Sequence, residues 1–114
     1  MGLQKDITNN QGFTYSYHKI DRVIAMFIKD VMIQDPEKPD DPLALIPSGE
    51  QEIQISVRME SFKDQQARLD GLPGWKRHFS FEVPADSNTS WSDIYGYLKQ
   101  KIADFENAVD VLDQ

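Results

Sequence analysis

The chain has 114 residues, no cysteine and a net charge of −7 at pH 7. This length fits one domain built around one hydrophobic core. The lack of cysteine excludes disulfides, thiolate metal sites and a cysteine nucleophile. The acidic charge argues against nucleic acid as a partner, because phosphate binding needs a basic surface. No apolar run is long enough to cross a membrane. We therefore expect a single domain over residues 1–114, with no cofactor, nucleic acid or membrane as partner.

The first third of the chain has the pattern of β-structure. Residues 3–7 predict a short strand, and residues 9–12 predict a turn, because Asn and Gly tolerate positive φ. Strict alternation of apolar and polar residues predicts a second strand at residues 13–18. Residues 20–33 fit either one face of a helix or a strand buried on both faces. We predict a strand, because five of residues 23–33 are β-branched and no clear N-cap precedes them.

A proline-rich acidic loop is predicted at residues 35–50, where four prolines interrupt regular structure. Its acidic cluster consists of Asp35, Glu37, Asp40 and Asp41. Calcium requires several oxygen atoms converging on one point, and the prolines between these carboxylates restrict the chain from wrapping an ion. We interpret the cluster as a solvated surface without a bound metal.

The last part of the chain predicts an amphipathic helix from Trp91 to Gln114. Ser90 can cap the helix, with Asp93 in the capping-box position three residues on. Gly96 is interpreted as a glycine tolerated at an exposed position, with close approach of another backbone as the alternative. Apolar residues that share one helical face recur every three or four positions: Ile94, Leu98, Ile102, Phe105, Val109 and Leu112.

Two more strands complete the prediction of the fold class. Residues 51–63 and 75–83 alternate in character, and residues 64–70 between them predict a short helix or a turn. Strands come first and the long helix last. This order predicts an α+β fold, in which an antiparallel sheet of four or five strands carries one long C-terminal helix packed on one face.

The residues that could carry chemistry do not form a recognisable motif. His18 and His78 lie on different predicted strands, without a carboxylate at a metal-ligand spacing. Each falls on the polar phase of its strand, so we predict two exposed surface histidines. We predict no catalytic activity and no catalytic or metal-binding residues.

An apolar run, Leu43 to Ile46, interrupts the polar loop. Such a run either packs on the domain's own core or docks a partner, since exposed apolar patches mark interfaces. We favour core packing, because small domains need all of their apolar area. Trp75, beside a Pro-Gly turn, could likewise pack on the core or dock a partner. The candidate docking residues are Leu43, Leu45, Ile46 and Trp75.

Both ends of the chain resemble a family of small bacteriophage and prophage proteins. The N-terminal residues that carry the resemblance are Leu3-Gln4-Lys5-Asp6-Ile7 and Tyr17-His18-Lys19-Ile20. The C-terminal ones are Tyr95-Gly96-Tyr97-Leu98-Lys99, Phe105, Ala108 and Asp110-Val111-Leu112. The family is similar to short products of the tail and baseplate gene region in phages of mostly Gram-positive hosts. The proline-rich middle of the chain lies outside the resemblance.

The resemblance implies a virion component or assembly factor and supports the strand prediction for residues 20–33. The expected function is that of a phage structural or assembly protein, associated with the tail or baseplate, which acts through protein–protein contacts. The expected partners are other phage structural proteins or further copies of this chain. The expected location is the host cytoplasm during assembly, and the virion as the second possibility. The alternative function is a small ligand-binding or enzymatic domain without a recognisable motif.

Overall fold

The computed structural model describes residues 1–112 and shows, within them, one five-stranded antiparallel sheet in the order β4-β3-β2-β1-β5. The strands are β1 Gly2–Thr8, β2 Thr14–Gln34, β3 Leu45–Phe62, β4 Trp75–Pro84 and β5 Val109–Val111. The helices are α1 Gln65–Leu69, α2 Trp91–Lys101 and a 3-10 helix, Ala103–Phe105. The prediction of an antiparallel sheet of four or five strands is confirmed.

Strands β2 and β3 form an unusually long hairpin. Their pairing extends from Tyr17 opposite Phe62 to Gln34 opposite Leu45. The ambiguous residues 20–33 lie entirely within β2, so the strand prediction for them is confirmed. The expected burial on both faces is wrong, because Phe27 and Ile28 are more than half exposed. Register shifts follow Ile20 and Val23, where β2 carries an extra residue and the sheet twists more strongly.

The main core lies on one face of the sheet, beneath α2. Residues of β3 that share this face by alternation are buried: Ile53, Ile55, Val57 and Met59. Helix α2 contributes Ile94, Tyr95 and Leu98, which are also buried. The Tyr95 hydroxyl accepts a hydrogen bond of 2.7 Å from the Ile20 backbone N–H at the edge of β2. No helix among residues 1–112 is long and apolar enough to cross a membrane.

The predicted long C-terminal helix is much shorter in the structure, so this prediction is wrong. The capping box of Ser90 and Asp93 begins α2 as predicted, but the helix ends at Lys101. The last turn of α2 holds Lys99 and Lys101, which suit the negative end of the helix dipole, whereas Asp104, Glu106 and Asp110 would destabilise further helical turns. Asn107 then adopts a φ of 64° and the chain turns back toward the sheet. Residues 113–114, which the predicted helix included, lie outside the described residues.

The apolar stripe of the predicted helix therefore divides between two environments. Phe105 is fully buried, although it lies in the 3-10 helix and not in α2. Val109 belongs to β5, which pairs with β1, and is exposed, as is Leu112. The helical spacing identified the core residues up to Phe105, and beyond it the backbone is no longer helical.

The predicted C-terminal boundary of the loop at residues 35–50 is also wrong. Only residues 35–44 connect the two strands, because β3 already begins at Leu45 and includes Pro47. Proline lacks the N–H donor that a central strand needs, but edge strands accommodate it. β4 pairs only with residues 52–61 of β3, so β3 has an open edge at Pro47.

Candidate interaction surface

The distal half of the β2–β3 hairpin, residues 30–51, extends beyond β1 and β4. We call residues 24–52, which include the adjoining part of β2, the arm. β1 pairs with β2 only at residues 14–18, and β4 pairs with β3 only at residues 52–61. Within residues 1–112, β2 after residue 18 and β3 before residue 52 therefore have open outer edges. The molecule measures 59 × 31 × 23 Å as a result. The remaining residues, which contain both helices and the hydrophobic core, are called the body.

Exposed apolar side chains concentrate on the arm. It holds eight of the fourteen large hydrophobic residues that are exposed among the described residues. These eight are Ile24, Met26, Phe27, Ile28, Met32, Ile33, Leu43 and Leu45. Exposed apolar patches of this kind mark interaction sites in soluble proteins.

The exposed apolar residues occupy both faces of the arm. Met26 and Ile28 lie opposite Ile55 and Ile53, so they continue the face on which the core packs. Phe27, between them, lies on the other face. Ile28 is 60% exposed and Phe27 is 52% exposed. The arm thus offers an apolar surface whichever side a partner approaches.

Helix α2 is too short to cover the arm. Its 11 residues span about 16 Å, against 59 Å for the long axis of the molecule. It buries Ile53 and Ile55 and leaves the neighbouring Met26 and Ile28 exposed. On the core face, β2 at Met26 and Ile28 therefore lacks the cover that β3 has at Ile53 and Ile55.

A polar cluster holds the foot of the arm in place. The Lys29 ammonium donates to Gln54 Oε1 at 2.9 Å and to Glu82 Oε1 at 3.2 Å. It also lies 3.6 Å from Glu52 Oε1. Lys29 thus ties β2 to both β3 and β4 where the body ends.

The tip of the arm is an ordered double turn. Asp35 N–H donates to the Ala44 carbonyl at 2.8 Å and closes the hairpin. The Gln34 side-chain amide donates to the carbonyls of Lys38 and Asp41. The carboxylates of Asp35 and Asp41 accept hydrogen bonds from backbone N–H groups inside the turn. A preorganised tip loses little entropy on binding, which favours recognition.

The arm carries most of the net negative charge of the chain. Residues 24–52 contain seven acidic residues and two lysines, a net charge of −5 out of −7 for the whole chain. Asp40 and Glu37 at the tip are exposed. The arm therefore combines apolar strands with an acidic end.

Three of the four candidate docking residues lie together on the arm. Leu43 is 88% exposed and Leu45 is 51% exposed, while Ile46 is partly exposed. The favoured prediction that this run packs on the core is wrong, because β3 carries it to the end of the molecule farthest from the core. Trp75 lies at the opposite end of the sheet, beneath the Arg77 guanidinium at 3.9 Å and beside Tyr15 at 5.3 Å.

The prediction of two exposed histidines is right for His78 and wrong for His18. His18 is fully buried between the sheet and Phe105. Its neighbour Tyr17 is buried on the opposite face, where it forms a second cluster with Phe62 of β3 and Ala67 of α1. The sheet is covered on both sides at this level, so alternation alone does not identify the exposed residue.

Both ring nitrogens of His18 form hydrogen bonds. Nε2 lies 2.7 Å from the Lys5 carbonyl, which only accepts, so Nε2 carries the proton. In the neutral ring, Nδ1 then accepts from the Ser61 hydroxyl at 2.7 Å. Burial lowers the pKa of His18 below its ordinary value of 6.5, and the hydrogen bond to Lys5 opposes this effect.

The buried pair of His18 and Ser61 is a feature that sequence reasoning missed. A serine within hydrogen-bond distance of a histidine is the arrangement of an activated nucleophile. Here both side chains are 0% exposed, so a substrate cannot reach the serine oxygen in this conformation. No group of three or more His, Asp or Glu side chains that could hold a metal ion occurs in residues 1–112. The sequence offers one weak signal for the pair: His18 and Ser61 each stand next to an aromatic residue in a predicted strand, Tyr17 and Phe62.

No family model, characterised protein or solved structure matches this chain.

Proposed function

We propose that this protein is a phage structural or assembly protein, associated with the tail or baseplate, that acts through protein–protein contacts made by its arm. The observation that carries the proposal is the concentration of exposed apolar side chains on the arm, outside the core.

The arm contributes little to folding, which favours a role in binding. Burying an apolar side chain stabilises a fold by roughly 1.5–3 kcal/mol, but Ile28 and Leu43 remain more than half exposed. An exposed apolar hairpin with open edges is also an aggregation hazard. A sequence that retains such a hairpin gains from having it covered by a partner.

The phage assignment rests on the resemblance of the chain ends. The resembling residues lie in β1, the first part of β2, α2 and β5, which all belong to the body. The arm lies almost wholly outside the resemblance. We infer that the body is the shared scaffold and that the arm is the part that determines which partner is bound.

A pull-down from phage-producing cells tests this function. The bait is the full chain, and the matched bait carries Ile28→Thr with Leu43→Ser, two arm positions that are 60% and 88% exposed. We expect mass spectrometry to identify tail or baseplate proteins, or the untagged chain itself, on the first bait and to find them lost from the second.

The control bait carries Phe13→Ser with Leu112→Ser, which are 60% and 78% exposed and lie outside the arm. It should retain the same proteins as the unmodified bait. Equal retention by all three baits, or the absence of phage proteins from all three, would contradict the proposed function.

A further inference from the structure

The end of the body opposite the arm contains an open groove of about 670 Å³, which we call the base groove. Its floor is the face of the sheet opposite α2, and its wall is α1 with the following turn. Leu69 and Leu72 on the wall are 60% and 55% exposed. The groove therefore has an apolar wall that nothing in residues 1–112 covers.

The base groove has an excess of available positive charge. Arg68 and Lys76 line it and form no ion pair with any described residue. Three basic residues, Lys19, Arg68 and Lys76, line the groove against two acidic ones, Asp21 and Glu60. Asp21 also pairs with Arg58 outside the groove. An acidic, apolar ligand matches both properties of the groove.

The arm tip has this chemistry, but it cannot reach the base groove of its own chain. Leu45 begins β3 at the tip, and Glu60 lies near the other end of the same strand. Glu60 is fifteen positions further along the strand, a distance on the order of 50 Å. The tip can fill a base groove only in another molecule.

We propose that the arm tip of one copy docks into the base groove of a second copy, so that the protein self-associates head to tail. This inference rests on the proposed function and names the partner of the same arm. Leu43 and Leu45 contact Leu69 and Leu72, while Glu37 and Asp40 pair with Arg68 and Lys76. A head-to-tail contact repeats from copy to copy, and it closes into a ring or continues as a filament.

Charge selects this contact over a two-fold pairing of arms. Two arms side by side would bring a net charge of −5 against another of −5. Like charges facing each other across an interface oppose association. The base groove offers cations to the same tip.

Sedimentation velocity of purified protein at low salt tests the proposal with two variants. The arm variant carries Glu37→Lys with Asp40→Lys, and the groove variant carries Arg68→Glu with Lys76→Glu. We expect the unmodified chain to form assemblies larger than a dimer and each variant to be monomeric. A control with Asp86→Lys and Glu106→Lys, two exposed acidic residues outside both surfaces, should assemble normally.

Mixing the two variants gives the decisive result. In the mixture, the intact acidic tip of the groove variant can dock into the intact groove of the arm variant. The basic tip of the arm variant can likewise dock into the acidic groove of the groove variant. Mixing should therefore restore assembly, and a single chain with all four substitutions should assemble as well. Circular dichroism shows whether each variant is folded.

Three outcomes would overturn the proposal. The first is an unmodified chain that stays monomeric at high concentration. The second is a folded groove variant that assembles normally, and the third is a mixture that remains monomeric. The pull-down separates these failures from a failure of the proposed function: arm-dependent capture of a tail or baseplate protein would keep that function and replace the second copy as the partner.

Discussion

The body and the arm are made from the same two strands but bury very different fractions of their side chains. In the body, Ile55 and Val57 of β3 are 0% exposed, because α2 covers them. In the arm, Met26 and Ile28 are 42% and 60% exposed, although they face the same way. The difference shows that strand formation here does not depend on burial by the protein's own helices. Cross-strand pairing and the polar contacts of Lys29 and Gln34 shape the arm, whereas packing beneath α2 holds the body together.

The largest expected effect lies in the body. Phe105→Ala should lower the free energy of unfolding by about 3–5 kcal/mol, because the ring is fully buried against His18 and Phe79. Denaturant melts measure the change.

Glu106→Ala is the matched control, because that side chain is exposed and only its backbone carbonyl accepts a hydrogen bond. It should change stability by less than about 0.5 kcal/mol. Equal tolerance of both substitutions would show that the 3-10 helix is not part of the core.

Stability should depend on pH through His18. Burial lowers the folded-state pKa of His18, so the unfolded chain binds more protons near pH 6. The stabilising contribution is fully present above the unfolded pKa and falls as the pH drops below about 6.5. Denaturant melts between pH 7.5 and 5.5 should show a loss of at most about 1.4 kcal/mol per pH unit from this group.

Two histidine variants separate this effect from other titrations. His78→Asn should keep the pH dependence, since His78 is exposed. His18→Gln should flatten it, whatever its effect on stability at pH 7.5. An unchanged slope in the His18 variant would assign the pH dependence to other groups.

Gly96 provides a smaller test within α2. A Cβ atom built at this position has no neighbour within 4 Å, which agrees with the interpretation of a tolerated, partly exposed glycine. Gly96→Ala should therefore raise the free energy of unfolding by roughly 0.5–1 kcal/mol, through helix propensity. Thermal melts check the sign, and a destabilised variant would reveal a contact of α2 that this conformation does not contain.

The sequence predicted the elements better than it predicted what covers them. Alternation, turn residues and the capping box located the strands and the start of α2, because these signals are local. The ends of α2 and of the proline-rich loop were missed. They depend on Asn107 turning the chain back and on the missing neighbour beside Pro47.

The candidate site was only partly predictable for the same reason. Leu43, Leu45 and Ile46 were identified as unusual, but core packing was preferred for them. Nothing in the sequence shows that β2 continues far past the end of α2 and carries its partner strand away from the core. His18 was assigned to the surface because only one face of the sheet was expected to be covered. The alternation of β2 does not show that α1 covers the second face, where Tyr17 lies.

A small change in stability is also expected for the arm, and it tests the central claim most directly. Ile28→Thr with Leu43→Ser should alter the free energy of unfolding by about 0.5 kcal/mol or less per site, because both side chains are mostly exposed. The same protein should lose the assemblies that the unmodified chain forms in sedimentation velocity. Unchanged stability with lost assembly is the predicted result. A large loss of stability, or assembly that persists in the folded variant, would contradict the assignment of the arm to binding.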